Sequence, residues 1–189
     1  MGEKEQMLAG LPYHANLGGL PREREMCQRK LHQYNNLPPD RWPERSNLMR
    51  MILGKTGTQI EVLPPFSCDY GYNIEVGENF YANFNLTVLD AAKVTIGDNC
   101  FIGPNVGIYT AGHPLKAEHR NEGWEYAKPI TIGNSVWIGG SVTILPGVTI
   151  GDEAVIGAGS VVTHDIPERV VAAGNPCRVL HSVDDACKE

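Results

Sequence analysis

One histidine stands where the regularity of this chain breaks, and its type and position could do chemistry. His113 lies in the stretch TAGHP, held between Gly112 and Pro114, with a long irregular segment after it. Imidazole accepts and returns a proton near neutral pH, so it can act as a general base. A lone loop histidine is usually only solvated. Its place at the one break in a repetitive scaffold is what makes His113 a candidate catalytic residue.

Other polar residues interrupt the pattern upstream of His113. Asn83, Asn85 and Asp90 lie in YANFNLTVLD, and Asp69 lies in CDYGYN. Asn and Asp are also suited to corners, where their side chains satisfy local backbone groups. The residues alone therefore support a structural and a functional interpretation of these positions equally.

A six-residue repeat is the element that must position these side chains. Small or aliphatic residues recur every six positions through most of the chain, and seven of the twelve are followed by Gly, which suits a corner. The twelve positions are Val76, Ala82, Val88, Ile96, Ile102, Ile108, Ile132, Ile138, Ile144, Ile150, Ile156 and Val162. A hexapeptide period predicts a parallel β-helix, in which three units make one triangular turn.

The spacing also predicts which residues stack inside the coil. Residues eighteen apart are expected to lie above one another, as with Ile132 and Ile150 or Val76 and Val94. Full burial of each Val or Ile contributes roughly 1.5 to 3 kcal/mol. The register slips by two residues between Val94 and Ile96, and we interpret this as one distorted corner.

The repeat divides a single domain into three predicted parts. The first lacks the repeat and carries two helical candidates, 20–34 and 47–53, on either side of the proline-rich NNLPPDRWPE, so it is expected to cap an open end of the coil. An insertion between coils that stay in phase must project outward as a loop. The predicted parts are 1–60, the all-β coil 61–167 with its extended loop 111–129, and a tail 168–189 that folds back on the coil.

Composition narrows the classes of partner and compartment. The 189 residues carry a formal net charge of -6, which argues against nucleic acid or an anionic membrane surface as the main partner. No apolar run reaches the length of a membrane span, and the amino terminus lacks an apolar signal core. Five cysteines without CxxC spacing predict reduced thiols. We expect a cytoplasmic protein.

Several segments that occur together and in order are typical of one enzyme family. They are CDYGYNI, FYANFNLTVLD, IGDNCFIGPNV, TAGHP, KPITIGNSVWIGGSVTILPGVTIGD, VIGAGSVVTHDIP and VVAAGNPCRV. In these segments the chain resembles the maltose and galactoside O-acetyltransferases, which are hexapeptide-repeat acyltransferases, and Asp69 favours the maltose-type branch. The resemblance implies a left-handed parallel β-helix, a homotrimer with active sites at subunit interfaces, and acetyl transfer from acetyl-CoA to a sugar hydroxyl without a metal.

The resemblance also implies roles for individual residues. His113 matches the catalytic histidine, which takes the proton of the attacking acceptor hydroxyl and returns it to the CoA thiolate. Asn83 matches an asparagine that orients the acceptor or stabilises the transition state. Asp69 and Asn16 fall at acceptor-binding positions. The residues that match the wall of the CoA groove are Trp137, Gly140, Ala158, Thr163, His164 and Arg178.

Three departures from the family pattern leave the acceptor less defined than the donor. Asn16 stands where a carboxylate is common, and Ala91 stands where the galactoside enzymes have a second Asp. His164 replaces a common Lys beside the CoA phosphates. Maltose, glucose and galactosides therefore all remain candidate acceptors.

Alternative functions use the same scaffold. A xenobiotic acetyltransferase would acetylate an antibiotic hydroxyl. A metal enzyme like the γ-type carbonic anhydrases needs three His ligands, and the repeats offer no His between His119 and His164. A non-catalytic coil would serve as an assembly or binding module, and it predicts that His113→Ala leaves acetyl transfer unchanged.

Overall fold

The amino-terminal segment is helical and packs on the first turns of the coil. The computed structural model describes residues 1–188, and the side chains of residues 1–185. The segment consists of α1 (Glu3–Leu8), the strand β1 (Tyr13–His14), α2 (Leu20–Asn35) and α3 (Trp42–Ile52). Pro43 occupies the first turn of α3, where no backbone N–H is needed, so this helix begins before the predicted start at residue 47.

The coil that follows has three parallel faces, and the chain visits them in rotation. The first face contains β2 (Ile60–Val62), β5 (Phe80–Ala82), β8 (Phe101–Ile102), β13 (Trp137–Ile138), β16 (Val155–Ile156) and β18 (Val170–Ala173). The second contains β3 (Phe66–Cys68), β6 (Leu86–Leu89), β9 (Gly107–Tyr109), β14 (Thr143–Ile144) and β17 (Val161–Val162). The third contains β4 (Ile74–Val76), β7 (Val94–Ile96), β12 (Ile130–Ile132) and β15 (Thr149–Ile150).

The interior of the coil is the predicted column of repeated residues. All twelve repeat positions are buried, with exposed fractions of 4% or less. Cys100 is also fully buried, and Cys27, Cys68, Cys100 and Cys177 are free thiols. Cys187 lies outside the described side chains. The prediction of a parallel β-helix with an amino-terminal helical segment is confirmed.

The register corrects one stacking prediction. Ile132 pairs with Ile150, eighteen residues later, as expected. Val76 pairs with Ile96 and not with Val94, because the early turns of the coil are twenty residues long. The two additional residues lie where the second face meets the third, at 69–73 in the first turn and at 90–93 in the second.

This widening is not one distorted corner, as the sequence suggested, because it recurs in successive turns. In the third turn the same corner receives the long insertion between β9 and β12. We call residues 69–73, 90–93 and 110–129 the widened corner. The same corner carries two additional residues in each of the first two turns and the long insertion in the third, and the predicted loop departs from it there.

The corner between the third and first faces is tight in every turn. Its residues 77–79, 97–99, 133–135 and 151–153 are called the tight corner. Here Asn79, Asn99, Ser135 and Glu153 adopt left-handed φ values of 55 to 57°. The carboxylate of Asp98 accepts a hydrogen bond from the backbone N–H of Glu78 at 2.8 Å, and equivalent bonds follow in the next turns.

The inserted segment has its own secondary structure. It contains β10 (Ala111–Gly112), α4 (Ala117–Asn121) and β11 (Trp124–Ala127). β11 pairs antiparallel with β10 on one side and with β1 of the amino-terminal segment on the other. The loop is therefore the middle of a small sheet outside the coil, anchored by the amino-terminal segment.

The tail extends the coil before leaving it. β18 adds a parallel strand next to β16, and β19 (Arg178–Ser182) returns antiparallel to β18. A short 3-10 helix, Val183–Lys188, ends the described chain.

Candidate active site

A groove of about 490 Å³ runs along the first face of the coil. Side chains of the paired strands β5, β8, β13 and β16 line the groove. Small residues line it at the corners that follow these strands. The groove residues are Tyr81, Asn83, Phe101, Ile102, Gly103, Pro104, Trp137, Gly139, Gly140, Val155, Ile156, Gly157 and Ala158. The structure thus brings together four of the predicted residues, Asn83, Trp137, Gly140 and Ala158.

The small residues of the groove follow from the close stacking of the turns. A Cβ on Gly103 would lie 2.6 Å from the backbone N of Gly140, and one on Gly139 would lie 2.6 Å from the backbone N of Ala158. Larger residues therefore cannot occupy these corners without displacing backbone. The result is an open strip of main chain beside the exposed rings of Phe101 and Trp137.

Those rings make the first face unusually apolar for a surface. Phe101 pairs in register with Trp137, and the two side chains are 54% and 58% exposed. A contiguous exposed apolar patch marks a ligand groove or a protein interface. This face is suited to bind a long, partly apolar ligand or a second subunit.

Asn83 lies half-buried at one end of the groove, where the first face meets the second. Its backbone N–H donates to the carbonyl of Ile102, and its Oδ1 accepts from the backbone N–H of Phe84 at 2.7 Å. These bonds fix the side chain and leave Nδ2 without an acceptor among the described residues. An amide donor held in this way can stabilise developing negative charge on a ligand oxygen.

Arg24, which the sequence did not single out, lies near both Asp69 and Asn16. Asn16 Oδ1 accepts a hydrogen bond from Arg24 at 3.1 Å, and Arg24 also donates to Tyr70 Oη at 2.9 Å. Burial raises the pKa of the Asp69 carboxyl, the charge of Arg24 opposes this, and that of Glu125 adds to it. Asp69, Asn16 and Arg24 form one polar cluster at the widened corner.

The signal for Arg24 was present in the helical pattern. Arg24 lies four residues after Leu20 and three before Cys27, both buried against the rest of the protein. A charged residue on such a stripe must find polar partners inside the fold. Periodicity indicates that Arg24 faces inward, but not that its partners are Tyr70 and Asn16.

Tyr13 and Glu125 join the amino-terminal segment to the loop, and both were missed. Tyr13 is 1% exposed and donates a hydrogen bond from its hydroxyl to Glu125 Oε2 at 3.0 Å. Burial, and then the neighbouring carboxylate, raise the pKa of Tyr13 well above its ordinary value. The residues lie in β1 and β11, whose partner β10 directly precedes His113.

His113 is exposed and lies at the start of the loop, on the widened corner. A Cβ on the preceding Gly112 would lie 2.5 Å from the ring of Tyr126, so a larger residue there would have to displace that exposed side chain. Asn83 lies at a different corner, between the first and second faces. One chain therefore does not bring His113 and Asn83 together.

The remaining predicted donor residues lie at the far end of the coil. His164 and Arg178 line a second cavity of about 330 Å³, together with Cys177. Thr163 Oγ1 is hydrogen-bonded to His164 Nδ1 at 2.8 Å. The predicted CoA-binding residues thus form two groups, one on the first-face groove and one near the tail.

The described part of the chain contains neither a cluster of metal ligands nor a membrane-spanning helix. No group of three or more His, Cys, Asp or Glu side chains that could hold a metal ion occurs there. None of the helices described is long and apolar enough to span a membrane.

Comparison with known proteins matches both the helical segment and the coil. Residues 6–57 match the maltose acetyltransferase hexapeptide capping motif, and residues 129–164 match the bacterial transferase hexapeptide model. The galactoside O-acetyltransferase of Escherichia coli is 48% identical over 184 residues, covering 97% of this chain and 91% of that protein.

Solved structures agree with the sequence matches. A maltose O-acetyltransferase from Clostridium difficile superposes with a TM-score of 0.95 at 53% identity, covering 96% of this chain and 97% of the other. A galactoside acetyltransferase solved in complex with coenzyme A gives a TM-score of 0.94 at 46% identity, covering 100% and 94%. The predicted resemblance is confirmed: this chain belongs to the maltose and galactoside O-acetyltransferase family of hexapeptide-repeat acyltransferases.

Proposed function

We propose that this protein transfers the acetyl group of acetyl-CoA to a hydroxyl of a sugar of the maltose, glucose or galactoside type. The observation that carries the proposal is the groove on the first face, where exposed main chain runs beside Trp137 and ends at the free amide of Asn83. Its relatives include a galactoside acetyltransferase solved with coenzyme A, the carrier of the proposed donor.

In the proposed reaction the acceptor oxygen attacks the thioester carbonyl directly. His113 removes the hydroxyl proton as the new C–O bond forms, and the C–S bond then breaks. The same imidazolium returns the proton to the departing thiolate, so no charge remains on the enzyme. Asn83 Nδ2 donates to the oxygen that carries negative charge in the tetrahedral transition state.

The two groups of donor residues suit different parts of acetyl-CoA. Gly140 and Ala158 would let the pantetheine arm lie against the coil backbone, with Trp137 beside it. Arg178, with Thr163 and His164 nearby, would hold the phosphate-bearing end, because a guanidinium pairs well with phosphate.

For the acceptor, we propose that Asp69 and Asn16 bind sugar hydroxyls. A carboxylate and an amide accept and donate hydrogen bonds to hydroxyl groups. Arg24 holds Asn16 and lies close enough to influence Asp69. The cluster has the polarity that a sugar requires, and it lies on the same corner as His113.

We further propose a homotrimer whose active sites lie between subunits. Support comes from the separation of Asn83 and His113 onto different corners of one coil, and from the exposed apolar first face. A neighbouring copy could supply the missing partner of each residue. We place the protein in the cytoplasm, in line with the free thiols.

An acceptor screen tests the proposed reaction. The purified protein is incubated with acetyl-CoA and with glucose, maltose, galactosides or hydroxylated antibiotics, and free thiol release is followed. We expect at least one sugar to accelerate release. Acceleration by antibiotics alone would assign a xenobiotic enzyme, and acceleration by none of these acceptors would reject the proposal.

Mixed assemblies test the shared site. Chains carrying His113→Ala and chains carrying Asn83→Ala are each expected to be almost inactive. Co-expressed in equal amounts, they should regain about a quarter of the wild-type activity, because that fraction of sites combines an intact residue from each chain. A mixture as inactive as its components would show that both residues act from the same chain.

A further inference from the structure

Asp90 is a buried carboxylate that the proposed chemistry does not use. Its exposed fraction is 0%, and among the described residues its Oδ2 has no hydrogen-bond partner. A buried charge with an unsatisfied oxygen is costly, so an uncharged residue would be the simpler occupant of a purely structural corner. The other oxygen, Oδ1, indicates what the charge is for.

Asp90 Oδ1 holds the preceding turn of the coil at the widened corner. It accepts hydrogen bonds from the backbone N–H of Asp69 at 3.0 Å and of Tyr70 at 2.9 Å. Neither N–H has another acceptor among the residues described. The widening removes this stretch from the regular ladder of the coil, and the Asp90 side chain takes the place of the missing acceptors.

The two residues held in this way both belong to the proposed acceptor cluster. Asp69 contributes its carboxyl directly. Tyr70 accepts a hydrogen bond from Arg24, which in turn holds Asn16. By fixing this backbone, Asp90 positions the Asp69 carboxyl directly, and it positions Arg24 and Asn16 through Tyr70.

Two further hydrogen bonds hold the backbone at and just before Asp90. Asn73 Nδ2 donates to the Asp90 carbonyl at 2.7 Å, and Thr110 Oγ1 donates to the Leu89 carbonyl at 2.6 Å. Thr110 is fully buried and immediately precedes the strand that leads to His113. The acceptor cluster and the start of the catalytic loop are thus fixed on either side of Asp90.

We propose that Asp90 is a positioning residue for the acceptor, which fixes the backbone of Asp69 and Tyr70 through Oδ1 and so orients the acceptor cluster. This inference rests on the proposed sugar acetylation. Asp90 touches no reacting atom, and its effect is on acceptor binding, not on acetyl-CoA or on the proton transfer.

The test compares kinetic constants in three variants of the whole protein. Asp90→Ala removes both bonds, and we expect the acceptor KM to rise about tenfold with the KM for acetyl-CoA unchanged. Asp90→Asn keeps an oxygen that accepts both N–H groups, and it should restore the acceptor KM to within about threefold of wild type. Should Asp90→Ala fail to fold, Asp90→Ser gives the same readout, because the shorter serine side chain cannot bring its hydroxyl to the N–H groups of both Asp69 and Tyr70.

Asp98→Ala is the matched control. Asp98 also accepts a hydrogen bond from a backbone N–H of the preceding turn, but at the tight corner. It should lower thermal stability and leave the acceptor KM unchanged.

An unchanged acceptor KM in the Asp90→Ala enzyme would overturn the positioning role, as would parallel rises in both KM values. So would a rise in the acceptor KM of the Asp98→Ala control. If wild type acetylates no sugar, the proposed function itself fails and takes this inference with it. The wild-type measurement separates that case from failure of the positioning role alone.

Discussion

The tight and the widened corner belong to the same coil, yet the residues that shape them do different things. At the tight corner each carboxylate or amide accepts a hydrogen bond from the turn before. The residue that follows it has a left-handed φ, as Asn99 does after Asp98, and Asn79, Ser135 and Glu153 are its equivalents in the other turns. At the widened corner the equivalent side chains differ from turn to turn. Asp90 serves one turn, and Thr110, whose Oγ1 accepts from the backbone N–H of Ala92, serves the next.

The difference shows where a repetitive fold can acquire a site. At the tight corner Asp98, Asn134 and Asp152 each use a side-chain oxygen to accept a hydrogen bond from the backbone of the neighbouring turn, so these oxygens serve the coil itself. At the widened corner, extra residues separate the turns and polar side chains such as Asp69 become available. Its apolar support comes from elsewhere, because Tyr13 and Leu20 pack in one cluster with Tyr70 and Ala92.

The strongest test of this contrast removes the proposed base at the widened corner. His113→Ala should lower kcat about 10² to 10⁴-fold, the usual contribution of a general base, while the proposed assembly and the KM for acetyl-CoA are unchanged. Steady-state kinetics with the best acceptor of the screen measures it. His119→Ala is the control, since His119 is also exposed in the loop. Equal losses in both variants, or none in His113→Ala, would contradict the assignment.

The same contrast explains how far the sequence could predict this molecule. The interior column was predictable because each residue has the same environment every six positions, and Ile132 and Ile150 pair as expected. The hydrogen bond from Arg24 to Tyr70 joins residues 46 apart, and that from Tyr13 to Glu125 joins residues 112 apart. No period relates such pairs. They arise where the chain departs from the repeat.

A pH-dependent test addresses the buried charge at the widened corner. Burial is the main cause that raises the pKa of Asp90 from 3.8 to about 6, and the nearby Asp69 carboxylate contributes. The folded state then holds this proton more tightly than the unfolded state. Stability from this group is therefore highest below about pH 4 and falls by about 3 kcal/mol as pH rises to about 6 and above.

Asp90→Asn should remove this pH dependence. Urea unfolding at pH 4, 5, 6 and 7, at one protein concentration, gives the free energy of unfolding of variant and wild type. Between pH 4 and pH 7, the free energy of unfolding of the variant should rise by about 2 to 3 kcal/mol relative to that of wild type. Asp98→Asn, on the exposed tight corner, is the control. A constant difference across this range would mean that the pKa of Asp90 is not raised.

A smaller effect is expected at the tight corner, and of another kind. A Cβ added to Gly97 would lie 2.7 Å from the carbonyl oxygen of Gly133 and 2.5 Å from Asn134 Oδ1. Gly97→Ala should therefore cost about 1 to 3 kcal/mol of unfolding free energy, with both KM values unchanged. Gly2→Ala is the control, because nothing lies within 4 Å of its added Cβ. A change in acceptor KM would break the distinction between the corners.

The smallest predicted effect concerns the attachment of the loop to the amino-terminal segment. Tyr13→Phe removes the hydrogen bond to Glu125 and keeps the buried ring, so the attachment of the loop should weaken by about 1 kcal/mol. β11 links this contact to the strand before His113. We therefore expect the weaker attachment to misalign His113 and to lower kcat severalfold. Tyr109→Phe, whose hydroxyl has no hydrogen bond among the described residues, should leave kcat unchanged. If instead Tyr13→Phe changed stability alone, the amino-terminal strand would support the fold without aligning the loop.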